Sequence, residues 1–241
     1  MIHLFVILSL AAEVPQGAQL SEPQSKAVRA YAHELVKLRS RSQGASLERL
    51  FNAAVEIRAL FGGSSPDQPS IEDLSADDFA KLEQTLVGII LNREEVILAE
   101  PDPHFFSELS SQYGKPVDRS FFELFSATYP DSVWPVYLTQ QTDYSGCTAF
   151  GEGHLVRSYR EWSRFRTSHP LRYQREVQRI IDQIQEQVVS TCACGDRDSV
   201  LRELREFAAA FPKSPVHKAV KDRIKELEEG ASEVRFQCSG G

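Results

Sequence analysis

The sequence lacks the signatures of common catalytic sites and of nucleic-acid surfaces. Its 241 residues contain no G-x-S-x-G, H-E-x-x-H, P-loop or dinucleotide-binding fingerprint. No block of like charges stands out and no basic stripe carries interleaved aromatic residues, so no nucleic-acid partner is predicted. The formal charge of −7 means that an anionic membrane would repel the average face of the protein. No cofactor and no metal ion is predicted.

The sequence also lacks an apolar run long enough to span a bilayer. The apolar stretch Ile2–Ala12 has eleven residues, which is too short for a mature transmembrane helix. This length is typical of the apolar part of a secretory signal, and the polar residues that follow separate it from the next helix. We therefore predict a signal peptide over residues 1–18 and an exported chain, periplasmic or extracellular, without a transmembrane segment. A buried first helix is the alternative.

Strand patterns are equally scarce. Only Glu233–Cys238 resembles a short strand, whereas apolar residues elsewhere recur at spacings of three and four. The sequence therefore predicts an all-α fold, an irregular bundle of about eight or nine helices with one long irregular loop tethered by disulfides.

The domain organisation follows from one exposed connection. Two amphipathic helices within residues 21–61 predict an N-terminal helical hairpin. The Gly-, Ser- and Pro-rich stretch Gly62–Ser70 is the best candidate boundary. Residues 71–241 are then the main helical domain. Within it, the capping pair Ser75 and Asp78 predicts one long helix that runs to about Leu98.

Large aromatic side chains recur at helical spacing downstream of that helix. This pattern is more often packing than a ligand site, and we predict that the following phenylalanines are core residues: Phe105, Phe106, Phe121, Phe122 and Phe125.

The C-terminal helices carry a short recognisable pattern over about residues 198–229. Its residues are Leu204, Phe207, Ala208, Phe211-Pro212, Ser214-Pro215, Ala219 and Ile224. They resemble one tetratricopeptide-type unit, which is two helices joined by a turn. No further copies align, so the resemblance implies a single helical hairpin with a scaffold or peptide-binding tendency, not a repeat array.

Four cysteines define the disulfide options: Cys147, Cys192, Cys194 and Cys238. In an exported protein this even number predicts two disulfides. A bridge between Cys192 and Cys194 would need strained geometry. Two sets therefore remain open, 147–192 with 194–238 and 147–194 with 192–238. A zinc site that includes His154 is the competing interpretation, but the C-x-C spacing is less typical of zinc.

The segment Asp131–Gly153 is the longest stretch without a helical period, and it holds the candidate site residues: Gln140, Gln141, Asp143, Tyr144, Glu152 and His154. Asp143 and Glu152 could form a carboxylate pair across the loop. Alternatively, these polar groups only satisfy the backbone of an irregular loop that Trp134 and Tyr137 anchor.

Two functional hypotheses follow. The first is a secreted or periplasmic, non-enzymatic binding protein whose partner is a protein, a peptide or a glycan. It depends on the signal-like N-terminus, the helical C-terminus and the missing catalytic motifs. The alternative is a secreted hydrolase that uses Asp143, Glu152 and His154, with cell-wall glycan as one substrate class. Convergence of those three side chains would favour the enzyme.

Overall fold

The structure is a computed structural model, and it describes residues 20–62, 69–94, 96–130, 133–141, 146–190 and 192–230. Within these ranges the chain forms nine α-helices and five short strands, which confirms the predicted mostly helical fold. The chain divides into two compact units, Met1–Pro101 and Asp102–Gly241. None of the helices in the described ranges is long and apolar enough to cross a bilayer.

The first unit begins with two amphipathic helices, α1 (Glu22–Arg39) and α2 (Leu47–Phe61). Ser21 caps α1 and forms a capping box with Gln24, and the Ser46 hydroxyl caps α2. The two helices pack together through their buried apolar stripes, as the periodicity predicts. The stripes include Val28, Tyr31, Leu35, Leu50, Phe51 and Ala54.

Two short strands replace the second half of the long helix that was predicted up to about Leu98. The Ser75 hydroxyl caps α3 (Ala76–Thr85) as predicted, but the helix ends at Thr85. The chain then forms β1 (Ile89–Asn92), which pairs antiparallel with β2 (Leu98–Pro101). The prediction of a continuous helix was therefore wrong.

The helix ends because the residues that follow favour a turn and then strands. Gly88 has a φ of +88°, a left-handed conformation that suits glycine and interrupts a helix. Ile89 and Ile90 are β-branched and favour extended backbone. The Tyr31 hydroxyl also fixes this turn, because it donates a hydrogen bond of 2.6 Å to the Val87 carbonyl.

The β1–β2 hairpin belongs to the first unit because β2 packs against α2. The Arg58 guanidinium of α2 lies 3.4 Å from the Glu100 carboxylate of β2. The units consequently divide between Pro101 and Asp102, whereas the sequence places the boundary at 62–70. Most of that predicted connection lies outside the described residues.

Six helices form the frame of the second unit: α4 (Pro103–Tyr113), α5 (Pro116–Thr128), α6 (His154–Ser168), α7 (Gln174–Ser190), α8 (Arg197–Ala210) and α9 (His217–Glu228). Proline occupies the first position of α4 and of α5, where its missing N–H costs no helical hydrogen bond. The Asp102 carboxylate caps α4 by accepting two backbone amides.

The core of the second unit is aromatic, as predicted. Four of the five predicted phenylalanines are buried: Phe106, Phe121, Phe122 and Phe125. Phe105 is partly exposed. The Phe121 ring stacks on Tyr173 with 3.8 Å between centroids, and Trp162 lies edge-on to Phe121 at 5.6 Å. The Trp162 indole N–H donates to the buried Thr128 hydroxyl at 3.0 Å, so its polar group is satisfied.

The C-terminal helices α8 and α9 pack against each other through buried side chains that include Leu204, Phe207 and Val220. They occupy the stretch with the tetratricopeptide-like pattern, and that resemblance stays a prediction. The predicted strand Glu233–Cys238 lies outside the described residues.

Candidate functional site

The central segment Asp131–Gly153 contains a strand hairpin. Its first strand, β3 (Leu138–Gln140), pairs antiparallel with β4 (Gly146–Ala149). β4 also pairs in parallel with β5 (Ala193–Cys194), which completes a three-stranded sheet in the order β3-β4-β5. Part of the segment that the sequence predicts as an irregular loop is therefore held by strand pairing, because β5, which is distant in the chain, supplies the partner that a short strand needs.

One disulfide ties this hairpin to the start of α8. Cys147 on β4 is bonded to Cys194 on β5, with 5.2 Å between their Cα atoms. This bond belongs to the second of the two predicted pairing sets. Cys192 is also disulfide-bonded, and its predicted partner Cys238 lies outside the described residues. The bond uses two of the thiols that the alternative zinc site with His154 would need as ligands.

The hairpin has a buried part and an exposed part. Tyr137, Cys147, Thr148 and Phe150 are buried. The Thr148 hydroxyl donates a hydrogen bond of 2.6 Å to the side-chain oxygen of Gln187 on α7, which satisfies this polar group inside the unit. In contrast, the consecutive residues Thr139, Gln140 and Gln141 are exposed.

Gly146 lets an aromatic ring lie on the hairpin beside an exposed amide. A Cβ atom at Gly146 would stand 3.0 Å from the Trp134 ring and 3.1 Å from the Thr139 carbonyl oxygen, so a side chain there would force these neighbours to shift. Gln140 is the register partner of Gly146, which places both on one face of the strand pair. The partly exposed Trp134 indole therefore lies on the same face of the strand pair as Gln140.

We call Trp134, Gln140 and Gln141 the hairpin surface. These side chains are uncharged, and Asp143 is the only charged residue from Ser132 to Gly151. Charged residues make up 25% of the whole chain, so this stretch is depleted of charge. The hairpin surface suits a ligand that needs neutral hydrogen-bond partners and an apolar ring.

The structure brings together two of the predicted site residues. The Glu152 carboxylate lies 3.0 Å from Nε2 of His154, which is the first residue of α6. The Glu152 side chain is 66% exposed and that of His154 is 21% exposed, so water screens the pair. Gln140 and Gln141 lie on the hairpin instead. Asp143 and Tyr144 lie outside the described residues, so the hydrolase alternative, which convergence of Asp143 with Glu152 and His154 would favour, stays a hypothesis.

A buried carboxylate that the sequence did not single out organises the glycine turn beside this pair. Glu203 on α8 is almost fully buried and accepts backbone N–H groups from Gly151 at 2.5 Å, Gly153 at 3.3 Å and Leu155 at 3.0 Å. Both glycines have positive φ values, +94° and +72°, which aim these amides at the carboxylate. The anion-binding N-terminus of α6 is thus filled from within the chain.

A second buried polar cluster lies under the hairpin. The Arg179 guanidinium binds both carboxylate oxygens of the buried Glu176 and donates to the Tyr129 hydroxyl at 3.0 Å. Burial alone would lower the pKa of Arg179, but Tyr129 and Glu176 together raise it, so the guanidinium stays charged.

Tyr137 adjoins this cluster with a buried hydroxyl for which the described residues offer no hydrogen-bond partner. Burial raises the pKa of Tyr137 well above its usual value, and the nearby Tyr129 raises it further. The hydroxyl is therefore neutral at physiological pH. A perturbed group of this kind can mark a functional site, but Tyr137 is fully buried and acts here as the anchor of the hairpin.

Two buried carboxylates of the second unit are occupied by structural partners. Glu203 holds backbone amides and Glu176 holds Arg179, so neither is placed to transfer a proton to an external ligand. Across the described residues, no group of three or more His, Cys, Asp or Glu side chains is arranged to hold a metal ion. No protein-family model matches the chain, and no curated protein or solved structure shows significant similarity to it.

Proposed function

We propose that the protein is an exported, non-enzymatic binding protein and that the hairpin surface is its ligand site. The observation that carries this proposal is the exposure of Gln140 and Gln141 at the end of β3, beside a strand that holds the buried Cys147 and Thr148 and is tied by a disulfide. Polar groups that only satisfied a loop backbone would be turned inward instead.

The anchoring of the hairpin supports binding because it lowers the cost of ordering the site. The Cys147–Cys194 bond fixes β4, and the hydrogen bond from Thr148 to Gln187 fixes the same strand against α7. Side chains on a fixed backbone lose less conformational freedom when a ligand binds. The disulfide also supports export, because such bonds persist in oxidising compartments.

The chemistry of the hairpin surface favours a neutral glycan among the ligand classes that the sequence leaves open. The apolar C–H face of a sugar ring can stack on the Trp134 indole, and the neighbouring Gln140 amide can donate to and accept from sugar hydroxyls. The absence of charge on these side chains disfavours a charged peptide, which would gain no electrostatic complementarity.

Co-sedimentation with insoluble glycans tests this proposal. The oxidised protein is mixed with peptidoglycan, chitin or cellulose, and the bound fraction is measured for the parent and for two matched variants. Gln140→Ala should weaken binding about ten-fold by removing amide hydrogen bonds to the ligand. Gln112→Ala changes an exposed glutamine on α4 and should bind as the parent does. Both variants should keep the parent's thermal stability.

Two outcomes would contradict the proposal. Equal glycan binding by Gln140→Ala and Gln112→Ala would remove the hairpin surface as the site. Release of soluble sugar that stops with Glu152→Gln would instead support the hydrolase hypothesis, since this change removes the carboxylate that lies 3.0 Å from His154.

A further inference from the structure

The net negative charge of the chain conceals a basic region at the turn between α6 and α7. From Trp162 to Arg175 the sequence contains four arginines and no acidic residue, although the chain as a whole carries −7. The net charge of −7 for the whole chain therefore does not describe the local charge at this end of the second unit.

The turn is held rigidly by one buried carboxylate. Asp118 on α5 accepts hydrogen bonds from the Arg172 guanidinium at 2.7 Å and from the Tyr173 hydroxyl at 2.8 Å. The Tyr173 ring is buried and stacks on Phe121. Tyr173 also has a φ of +51°, a costly conformation for a tyrosine that persists only where its surroundings impose it.

This anchoring presents a leucine to solvent. Leu171 precedes the two anchored residues and is 80% exposed, more than Val36 at 55% or Val87 at 38%. Single exposed leucines are common on protein surfaces. Leu171 differs from such leucines because Asp118 and the stacked Tyr173 fix the conformation of its turn. The same contacts therefore keep Leu171 exposed.

Four exposed cations accompany Leu171: Lys115, Arg119, Arg166 and Arg175. Lys115 and Arg119 flank Asp118 at the start of α5, to which the turn is bonded. Arg166 donates to the side-chain oxygen of Gln178 at 3.1 Å, and Arg119 donates to the Gly114 carbonyl at 2.7 Å. These acceptors are neutral, so both guanidinium groups keep their full charge.

Arg175 lies one turn before Gln178 on α7, which places it on the same helix face as the partner of Arg166. Of the acidic groups nearby, Glu161 pairs with Arg164 at 2.9 Å, and Asp182 accepts a hydrogen bond from Gln178 at 2.7 Å. Asp118 and Glu176 are buried and are matched by Arg172 and Arg179. We call Leu171 with the four exposed cations the basic corner.

We propose that the basic corner docks on an anionic phospholipid surface, with Leu171 inserted among the headgroups and the cations against the phosphates. A protruding apolar side chain among cations fits a soft, negatively charged interface. An acidic protein segment would find a better site in a groove with apolar walls than at an exposed turn. This docking is peripheral and independent of the hairpin surface.

Vesicle flotation of the full oxidised chain tests the proposal. The protein should float with vesicles of phosphatidylcholine mixed with phosphatidylglycerol, stay unbound with phosphatidylcholine alone, and be released by added salt. Arg166→Gln and Arg175→Gln should each lower the partition coefficient about five-fold. Leu171→Ser should lower it about ten-fold. Lys221→Gln on α9, which packs at the other end of α7, should have no effect.

A pair of tryptophan variants distinguishes insertion from simple charge attraction. Leu171→Trp should show a blue-shifted emission on anionic vesicles and quenching by brominated lipid, whereas Val36→Trp, an exposed site in the first unit, should show neither. Absence of binding to the anionic vesicles would overturn the proposal. So would retention on polyglutamate without vesicle binding, which would assign the basic corner to an acidic protein partner.

Discussion

The hairpin surface and the basic corner are both connections between helices of the second unit, yet they are held and charged in opposite ways. The hairpin is held by the Cys147–Cys194 bond and a strand ladder, and its exposed side chains carry no charge. The corner is held by the carboxylate of Asp118, and its exposed side chains are mostly cations. In both places the residues that fix the backbone are buried and the residues that can meet a partner are not. Substitutions of the exposed residues should therefore change binding alone, whereas substitutions that remove the contacts of the buried anchors should lower both stability and binding.

Removal of the disulfide should have the largest effect and should separate the two regions. The double change Cys147→Ser with Cys194→Ser opens a link between residues 47 apart and should lower the free energy of unfolding by about 4 kcal/mol on the loop-entropy model. Denaturant unfolding of the parent and the variant measures this. Glycan binding should fall as well, whereas the folded fraction of the variant should still float on anionic vesicles. A loss below about 1 kcal/mol would mean that the strand ladder alone fixes the hairpin.

Removal of the anchor of the corner should have the next largest effect. Asp118→Ala leaves the Arg172 guanidinium and the Tyr173 hydroxyl without their shared acceptor and should cost about 3 kcal/mol. Arg172 is 29% exposed, so water recovers part of its interaction and the cost stays below that of a fully buried pair. Denaturant unfolding measures this cost.

Asp118→Asn is the matched control, because an amide oxygen can still accept the Tyr173 hydroxyl and the loss should be smaller. Asp118→Ala should also weaken vesicle binding although it adds net positive charge, since the turn is no longer fixed. Stronger flotation of Asp118→Ala would show that charge alone governs the corner.

The sequence predicts the helical frame of the molecule but not the contacts that shape its connections. Helix caps such as Ser21, Ser46 and Ser75 act over three residues, and amphipathic stripes repeat within one helix, so both are readable locally. The wrong prediction of a helix between Gly88 and Leu98 also has a local cause. Two short apolar runs with β-branched residues, separated by polar residues, are compatible with a hairpin as well as with a helix. The pairing between the two runs determines which of the two structures forms.

The candidate site depends on contacts between residues that are distant in the chain. The sequence could reduce the number of possible contacts but could not identify the correct ones. Cysteine spacing left two pairing sets, and the parallel register of β4 with β5 is what brings Cys147 to Cys194. Glu203 meets the amides of Gly151 and Gly153 across about fifty residues, and no local pattern marks it. The two glycines around Glu152 were the one available signal that an anion would be bound there.

The smallest expected effect concerns the anchor beneath the hairpin. Tyr137→Phe removes a buried hydroxyl that has no partner among the described residues, so stability should stay the same or rise by about 1 kcal/mol. Tyr159→Phe is the matched control, because the Tyr159 hydroxyl bonds to Ser214 and Gln185 at 3.2 Å each and its loss should cost about 1 kcal/mol. Thermal melts of both variants measure whether each substitution raises or lowers stability. Equal destabilisation would indicate an ordered water bound to Tyr137.

The pH dependence of the same variant sharpens this last prediction. Burial holds the pKa of Tyr137 well above 10 in the folded protein, whereas an unfolded tyrosine ionises near pH 10. The unfolded state therefore releases a proton first as the pH rises, so the stability contribution is complete below pH 10 and is lost between the unfolded and folded pKa values. Tyr137→Phe lacks this loss, and its advantage over the parent should grow by up to about 1.4 kcal/mol per pH unit above pH 10. If the difference in unfolding free energy between the parent and Tyr137→Phe stays constant above pH 10, Tyr137 titrates as an exposed tyrosine and the hairpin does not bury its hydroxyl.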